Sequence, residues 1–150
     1  MFSKVLIATD LSLASERVLH CVKGLIPLGA KKAVLVHAIG IQRLATMAHG
    51  MAHFLEPHLV KQKAALEAEG LETETVLAPG PAVIEVNRIA RERQASLIVV
   101  GTHGATLARE MLIGGTAMGI VHQASVPVLV IRLRITEEEG GVRCVSACRD

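Results

Sequence analysis

The sequence predicts an α/β fold built on one parallel sheet, and three observations support that prediction. Short apolar segments typical of strands alternate with longer segments whose apolar residues recur at helical spacing. The segment Leu97–Val100 is wholly apolar, as expected of a parallel strand that helices cover on both faces. With two Phe, no Trp and no Tyr, the core must be aliphatic, which suits helices layered on a sheet. We therefore expect five parallel strands in a single domain, with helices on both faces.

The first half of the chain contains two predicted strands and two predicted helical segments. The first strand covers Lys4–Thr9, and Ser12 is placed to cap the helix that follows. The second strand covers Ala33–Ala38. The next helical segment ends near Gly70, and Pro57 inside it predicts a kink or two abutting helices, because proline removes an interior hydrogen bond.

The second half contains the other three strands, separated by two helices. In chain order these elements are the strand Glu72–Leu77, the helix Ala82–Gln94, the strand Leu97–Val100, the helix Ala117–Ala124 and a last strand from Val126 to about Leu133. The last strand begins with a proline, which fits an edge position. Residues 136–150 lack a core pattern, so we expect one domain over residues 1–135 and a mobile C-terminal tail.

Charge and hydropathy argue against several classes of function. The chain has 16 Lys and Arg against 14 Asp and Glu, and a net charge of +2 is too small to indicate nucleic-acid binding. No apolar run approaches the ~18 residues of a membrane span, so no membrane partner is expected. Because Met1–Lys4 leads directly into a strand pattern, we expect no signal peptide and a cytoplasmic location.

Cysteine and histidine spacing does not predict a metal site. Cys144 and Cys148 are too few ligands for a closed zinc site, and Cys21 is interpreted as a small buried hydrophobe. Three histidines are interpreted as solvated helix residues, namely His49, His53 and His58. His37 in the second strand is interpreted as a core residue with satisfied hydrogen bonds.

A glycine-rich segment directly after the fourth predicted strand points to an anion site. Gly101 and Gly104 are followed, after nine residues, by Gly114, and Gly115 and Thr116 then lead into a helix. Glycine lets the backbone approach a phosphate closely, and a helix N-terminus adds unbonded N–H groups and the positive end of a dipole. The alternative is that these glycines only allow the loop to turn.

Asp10 follows the first predicted strand and is the second candidate ligand group. In open parallel sheets, ligands bind beyond the carboxyl ends of the strands, where the strand order reverses. If the first and fourth strands are neighbours, Asp10 lies beside the glycine-rich segment. The alternatives are a solvated turn carboxylate and a phosphorylatable receiver aspartate, although the strand ends lack the further acidic residues and the lysine that a receiver needs.

The chain shows no catalytic constellation. There is no trio of nucleophile, base and orienting group, and no Walker A lysine pattern. We therefore predict no catalytic residue and, at most, weak ATP hydrolysis. His103 within the glycine-rich segment either donates to a phosphate or occupies an exposed turn.

From about Lys4 to Arg132 the chain resembles the universal stress proteins, in the group whose members bind ATP. The glycine motif of that family is G-x2-G-x9-G followed by Ser, Thr or Asn, and Gly101, Gly104 and Gly114 match it. Further matches are the Thr9–Ser12 turn, the Gly80-Pro81 entry to a helix and the Val126–Val130 ending. The resemblance implies a Rossmann-like, five-stranded parallel sheet of order 3-2-1-4-5.

The resemblance also implies a site for an adenine nucleotide, ATP or AMP, with any Mg²⁺ carried by the nucleotide itself. Asp10 matches the carboxylate that contacts the adenosine end, and Ala38 lies where the adenine pocket is expected. The other implied site residues belong to strand ends or to the phosphate cradle, and they are Ala8, Val100, Gly101, His103, Gly104, Gly114, Gly115 and Thr116.

Gly115 departs from the family motif, and the departure leaves two hypotheses open. A hydroxyl donating to a charged phosphate contributes roughly 1.5–3 kcal/mol, and Gly115 lacks one, so the preference between ATP and AMP stays open. One hypothesis is a regulatory, adenine-nucleotide-binding stress-response protein that dimerises through its last strand, at the edge of the sheet. The other is an interaction module of the same fold that does not bind nucleotide.

Overall fold

The computed structural model describes residues 1–40, 51–102, 113–136 and 141–144, and within them a five-stranded sheet is flanked by helices. Its strands are β1 Lys4–Ala8, β2 Lys32–Ile39, β3 Glu72–Pro79, β4 Leu97–Gly101 and β5 Val128–Ile131. Two further strands, β6 Leu133–Thr136 and β7 Gly141–Cys144, form a separate sheet. The helices are α1 Leu13–Val22, a 3-10 helix Lys23–Leu28, α2 Met51–Ala68, α3 Ala82–Glu92 and α4 Gly115–Gln123.

The strand order of the large sheet is β3-β2-β1-β4-β5 and every pair in it is parallel, which confirms the predicted fold. Leu6 at the centre of β1 pairs with Val34 of β2 on one side and Ile98 of β4 on the other. The chain therefore reverses its winding direction between β1 and β4. A ligand site is expected beyond the carboxyl ends of these two strands.

Two apolar layers hold the helices on the sheet, because side chains of successive strand residues point to opposite faces. On one face Val5 and Ile7 pack with residues of α1 and α2, including Val18 and Leu66. On the other face Leu6 packs with residues of α3 and α4; these residues include Val86 and Ile120. Helices thus cover both faces, and their ends surround the carboxyl edge of the sheet.

Pro57 does not divide the second helical segment. Helix α2 runs from Met51 to Ala68 with Pro57 inside it, so of the two predicted outcomes the pair of abutting helices is wrong. Proline removes one hydrogen bond from the helix ladder. Leu59 and Leu66, beyond the proline, are buried against the sheet, and this packing holds the helix together.

The segment after β5 forms a hairpin that the sequence pattern did not predict. Strands β6 and β7 pair antiparallel, with Leu133 opposite Cys144. Leu133 is buried in the same core layer as α1, and helix α1 contacts β7. The proposed domain boundary after residue 135 falls inside β6 and stays a prediction, as does the mobility of the tail.

Candidate functional site

A cavity of about 320 Å³ lies at the carboxyl ends of β1, β2 and β4, next to the start of α4. Every predicted site residue within the described ranges lines it: Ala8, Asp10, Ala38, Val100, Gly101, Gly114, Gly115 and Thr116. The other two predicted site residues, His103 and Gly104, lie outside the described residues. The fold thus brings together four segments that are far apart in sequence.

The first turn of α4 presents backbone donors to this cavity. Gly114 is the N-cap residue, and no side chain from the described parts of the chain caps the helix. The Gly114 N–H donates to the Thr102 carbonyl oxygen, with N and O 2.6 Å apart. Among the described residues, no acceptor contacts the backbone N–H groups of Gly115, Thr116 and Ala117. Such unbonded amides at the positive end of a helix dipole favour an anion.

The two adjacent glycines at the start of α4 differ in their surroundings. A Cβ at Gly114 would be 2.8 Å from the Thr102 carbonyl oxygen, which is too close for any side chain. A Cβ at Gly115 would meet no atom of the described residues within 4 Å. Packing of backbone against backbone therefore requires glycine at 114, whereas the residue at 115 borders open space in the cavity.

The Asp10 carboxylate is held in a network of hydroxyl and amide donors at the start of α1. Its Oδ1 accepts from the Ser12 N–H at 3.0 Å, from the Ser12 hydroxyl at 2.5 Å and from the Ser15 hydroxyl. Ser12 also caps α1, as predicted, because its Oγ accepts from the Ser15 N–H at 3.3 Å. Asp10 thus belongs to the turn before α1 and also lines the cavity. Its interpretation as a turn carboxylate is therefore compatible with its interpretation as a candidate ligand group.

A set of buried polar side chains around Thr9, the residue before Asp10, was missed by the sequence interpretation. The Thr9 hydroxyl donates to Gln62 Oε1 of α2 at 2.8 Å, and both side chains are buried. His37 Nδ1 donates to the Thr9 carbonyl oxygen at 2.9 Å, which confirms His37 as a core residue with a satisfied hydrogen bond. One sequence signal could have found Gln62, since it interrupts the apolar stripe of Leu59 and Leu66 at helical spacing.

The described part of the chain contains neither a cluster of metal-ligating side chains nor a helix suited to cross a membrane. In residues 1–40, 51–102, 113–136 and 141–144, no three His, Cys, Asp or Glu side chains are grouped in a way that could hold a metal ion. No helix in these ranges has both the length and the apolar composition needed to span a bilayer. His58 is an exposed residue of α2.

Sequence comparison matches the chain to one family and to curated members of it. The family model for universal stress proteins matches residues 1–132. Universal stress protein MJ0577 of Methanocaldococcus jannaschii is 25% identical over 155 residues, which cover 88% of this chain and 96% of that protein. Universal stress protein YxiE of Bacillus subtilis is 27% identical over 150 residues, which cover 88% of this chain and 100% of that protein.

Comparison with solved structures gives the same fold. The structure of MJ0577 superposes with a TM-score of 0.84 at 24% identity, covering 91% of this chain and 99% of that one. A universal stress protein in complex with cAMP has a TM-score of 0.67 at 20% identity, with coverages of 87% and 97%. A universal stress protein from Archaeoglobus fulgidus in complex with dAMP has a TM-score of 0.66 at 23% identity, with coverages of 87% and 98%.

Proposed function

This chain belongs to the universal stress protein family, and from that premise we propose that it binds an adenine nucleotide, ATP or AMP, in the cavity beyond β1 and β4. The observation that carries the proposal is the start of α4, where the N–H groups of Gly115, Thr116 and Ala117 have no acceptor among the described residues. Solved structures of the same fold in complex with cAMP and dAMP support the choice of an adenine nucleotide.

The proposed orientation of the nucleotide follows from the chemistry of the cavity walls. The adenosine end lies against the small and apolar residues Ala8, Ala38 and Val100, with Asp10 accepting from ribose hydroxyls. The phosphates lie at the start of α4, where backbone donors and the helix dipole stabilise negative charge. Two further residues, His103 and Gly104, complete the phosphate cradle in this proposal. Any Mg²⁺ enters with the nucleotide.

We further propose that the protein is a cytoplasmic regulator that acts as a homodimer. Strand β5 lies at one edge of the sheet, and Leu129 on it is 38% exposed. The opposite edge strand, β3, carries the exposed charges of Glu72 and Glu74, which discourage pairing. Strand β5 carries no charge, so it is the edge suited to pair with its twin. Nucleotide binding changes the surface around the 101–115 segment, which partner proteins then recognise.

The second candidate function is an interaction module that does not bind nucleotide. Gly115 favours this alternative, because the hydroxyl or amide side chain of the family motif is missing at the phosphate end. The two candidates differ in one measurable property, which is whether the protein binds AMP or ATP.

Calorimetric titration of the purified protein with adenosine, AMP and ATP tests the proposal. Gly115→Asp places a carboxylate in the open space beside the unbonded amides, where it competes with phosphate while suiting a helix N-terminus. We expect it to weaken AMP and ATP binding by at least about tenfold, a loss of about 1.4 kcal/mol, and to leave adenosine binding unchanged. The neutral isostere Gly115→Asn is the matched control and should keep wild-type affinity or exceed it.

Two results would contradict the proposed function. Absence of both heat and thermal shift with the wild-type protein at millimolar AMP and ATP would favour the interaction module. Equal affinities of the Asp and Asn variants for AMP would place the phosphate away from α4.

A further inference from the structure

We propose that Gln62 of α2, which does not line the cavity, is a positioning residue that holds Asp10 in its ligand-binding orientation through Thr9. This inference rests on the proposed function, which assigns Asp10 to the adenosine end of the nucleotide. It extends that proposal, because it makes a buried residue of another helix a determinant of nucleoside affinity.

Gln62 is a polar side chain at a core position. It is 3% exposed and lies at helical spacing between Leu59 and Leu66, both of which are buried against the sheet. A buried amide is costly unless it is hydrogen-bonded, so an apolar side chain would suit the packing alone better. The contact that Gln62 makes is with the Thr9 hydroxyl, which donates to its Oε1 at 2.8 Å.

Thr9 transmits this contact to the turn after β1. A threonine hydroxyl has one proton, and here Gln62 accepts it, so the lone pairs of Thr9 Oγ1 are free to accept. The Leu11 N–H donates to that oxygen at 3.1 Å. Leu11 has a φ of 65°, a left-handed conformation that non-glycine residues rarely adopt. The hydrogen bond from Leu11 to Thr9 is therefore one of the contacts that hold a strained turn.

Asp10 lies between these two fixed residues. On its N-terminal side, the Thr9 N–H donates to the Val36 carbonyl oxygen, and the Thr9 carbonyl accepts from His37 Nδ1, each at 2.9 Å. On its C-terminal side, the Leu11 amide is held by the Thr9 hydroxyl. These hydrogen bonds restrain both neighbouring peptide groups, and they act together with the Asp10 N–H, which donates to Ser15 Oγ at 3.2 Å, to hold the Asp10 carboxylate in the network that borders the cavity.

Loss of the Gln62 side chain should change the affinity at the adenosine end of the site and not at its phosphate end. Loss of the Gln62 acceptor leaves the Thr9 hydroxyl without its partner, and the turn at Leu11 loosens. Because Asp10 contacts the adenosine end in the proposed site, adenosine and AMP lose affinity by the same factor. Variants at the start of α4 change the affinity for AMP alone.

The substitution Gln62→Met tests this inference, because Met is unbranched, of similar length and apolar. We expect the Kd values of adenosine and AMP each to rise about tenfold, which corresponds to about 1.4 kcal/mol. The matched control is Gln123→Met, the same chemical change at an exposed residue at the end of α4. It should leave both Kd values unchanged.

A double-mutant cycle with Asp10→Asn separates positioning from a merely structural role. If Gln62 acts through Asp10, the double variant binds adenosine no more weakly than Asp10→Asn alone, so the two effects are not additive. If Gln62 acts on the site independently of Asp10, the losses add, and if it only stabilises the fold, Gln62→Met leaves the adenosine Kd unchanged; either result overturns the inference. Should Gln62→Met fail to fold, Gln62→Leu removes the same acceptor and is measured in its place.

Amide hydrogen exchange provides a readout that needs no ligand. In the Gln62→Met protein the Leu11 amide should exchange at least about tenfold faster, whereas the Thr9 amide, bonded to Val36 O, should keep its rate. Unchanged exchange at Leu11 overturns the inference whether or not nucleotide binds. Failure of the wild-type protein to bind adenosine and AMP refutes the proposed function, and the exchange experiment still tests Gln62.

Discussion

The Gly114 amide nitrogen lies 2.6 Å from the Thr102 carbonyl oxygen, and a Cβ at Gly114 would be only 2.8 Å from that oxygen. This contact joins the start of α4 to the end of β4, and it leaves no room for a side chain between the two backbones. The requirement for glycine at 114 is therefore a packing requirement that exists without any ligand.

The first prediction is that Gly114→Ala destabilises the protein by about 1–3 kcal/mol, the usual cost of forcing extra atoms into a packed site. Urea denaturation measures this loss as a lower midpoint with an unchanged slope. The matched control is Gly115→Ala, whose Cβ would meet none of the described atoms within 4 Å; this substitution should cost less than about 0.5 kcal/mol. Equal midpoints for the two variants would show that Thr102 can move away at little cost.

The second prediction is that Gly115→Ser strengthens AMP binding. The added side chain has space, and its hydroxyl can donate to a charged phosphate oxygen, a bond that contributes roughly 1.5–3 kcal/mol. Titration should show a Kd for AMP lowered by about tenfold to a hundredfold and an unchanged Kd for adenosine. Gly115→Ala is the control for the loss of glycine itself. A gain for adenosine equal to that for AMP would contradict the proposed orientation.

The parallel sheet could be predicted from the alternation of strand and helix patterns along the chain, and the strand order and cavity position from the resemblance to the family. The wholly apolar Leu97–Val100 segment marked a central strand, and the family motif placed that strand beside the one that Asp10 follows. Parallel strands bring their carboxyl ends to one edge, so Asp10 and Gly114 had to lie near each other once the strand order was fixed.

The different roles of neighbouring residues could not be predicted, because they depend on contacts between distant segments. Gly114 and Gly115 are adjacent residues of the same type. Only the Thr102 carbonyl, which approaches Gly114 and not Gly115, distinguishes the glycine required by packing from the glycine that borders the cavity. Gln62 likewise has no local signal of a link to Thr9, which lies 53 residues earlier. The β6–β7 hairpin was missed because its strands are short and because Leu133 is buried in a core layer shared with α1, which is distant in sequence.

The third prediction is that Thr102→Val destabilises the junction between the sheet and the hairpin. Thr102 Oγ1 accepts from the Leu133 N–H at 3.0 Å, and both residues are buried. Valine keeps the shape of the side chain but leaves that buried N–H without this acceptor, which costs about 1–3 kcal/mol. Urea denaturation measures the loss, with the exposed Thr75→Val on β3 as the matched control. A Thr102→Val protein as stable as the control would show that water or another group replaces the hydroxyl.

The fourth prediction concerns the proposed homodimer. A lysine at Leu129 would place a charge on the apolar edge strand β5, and the two-fold pairing of β5 with its twin would bring two such charges together. Charged side chains, lysine especially, are the means by which proteins keep edge strands from pairing. Leu129→Lys should therefore convert the dimer to a monomer in sedimentation velocity at micromolar protein, with the melting temperature measured to exclude unfolding.

Thr75→Lys on the opposite edge strand is the control and should remain dimeric. If Leu129→Lys stays dimeric while Thr75→Lys dissociates, the interface lies at β3, and if the wild-type chain is monomeric, the proposed assembly is refuted.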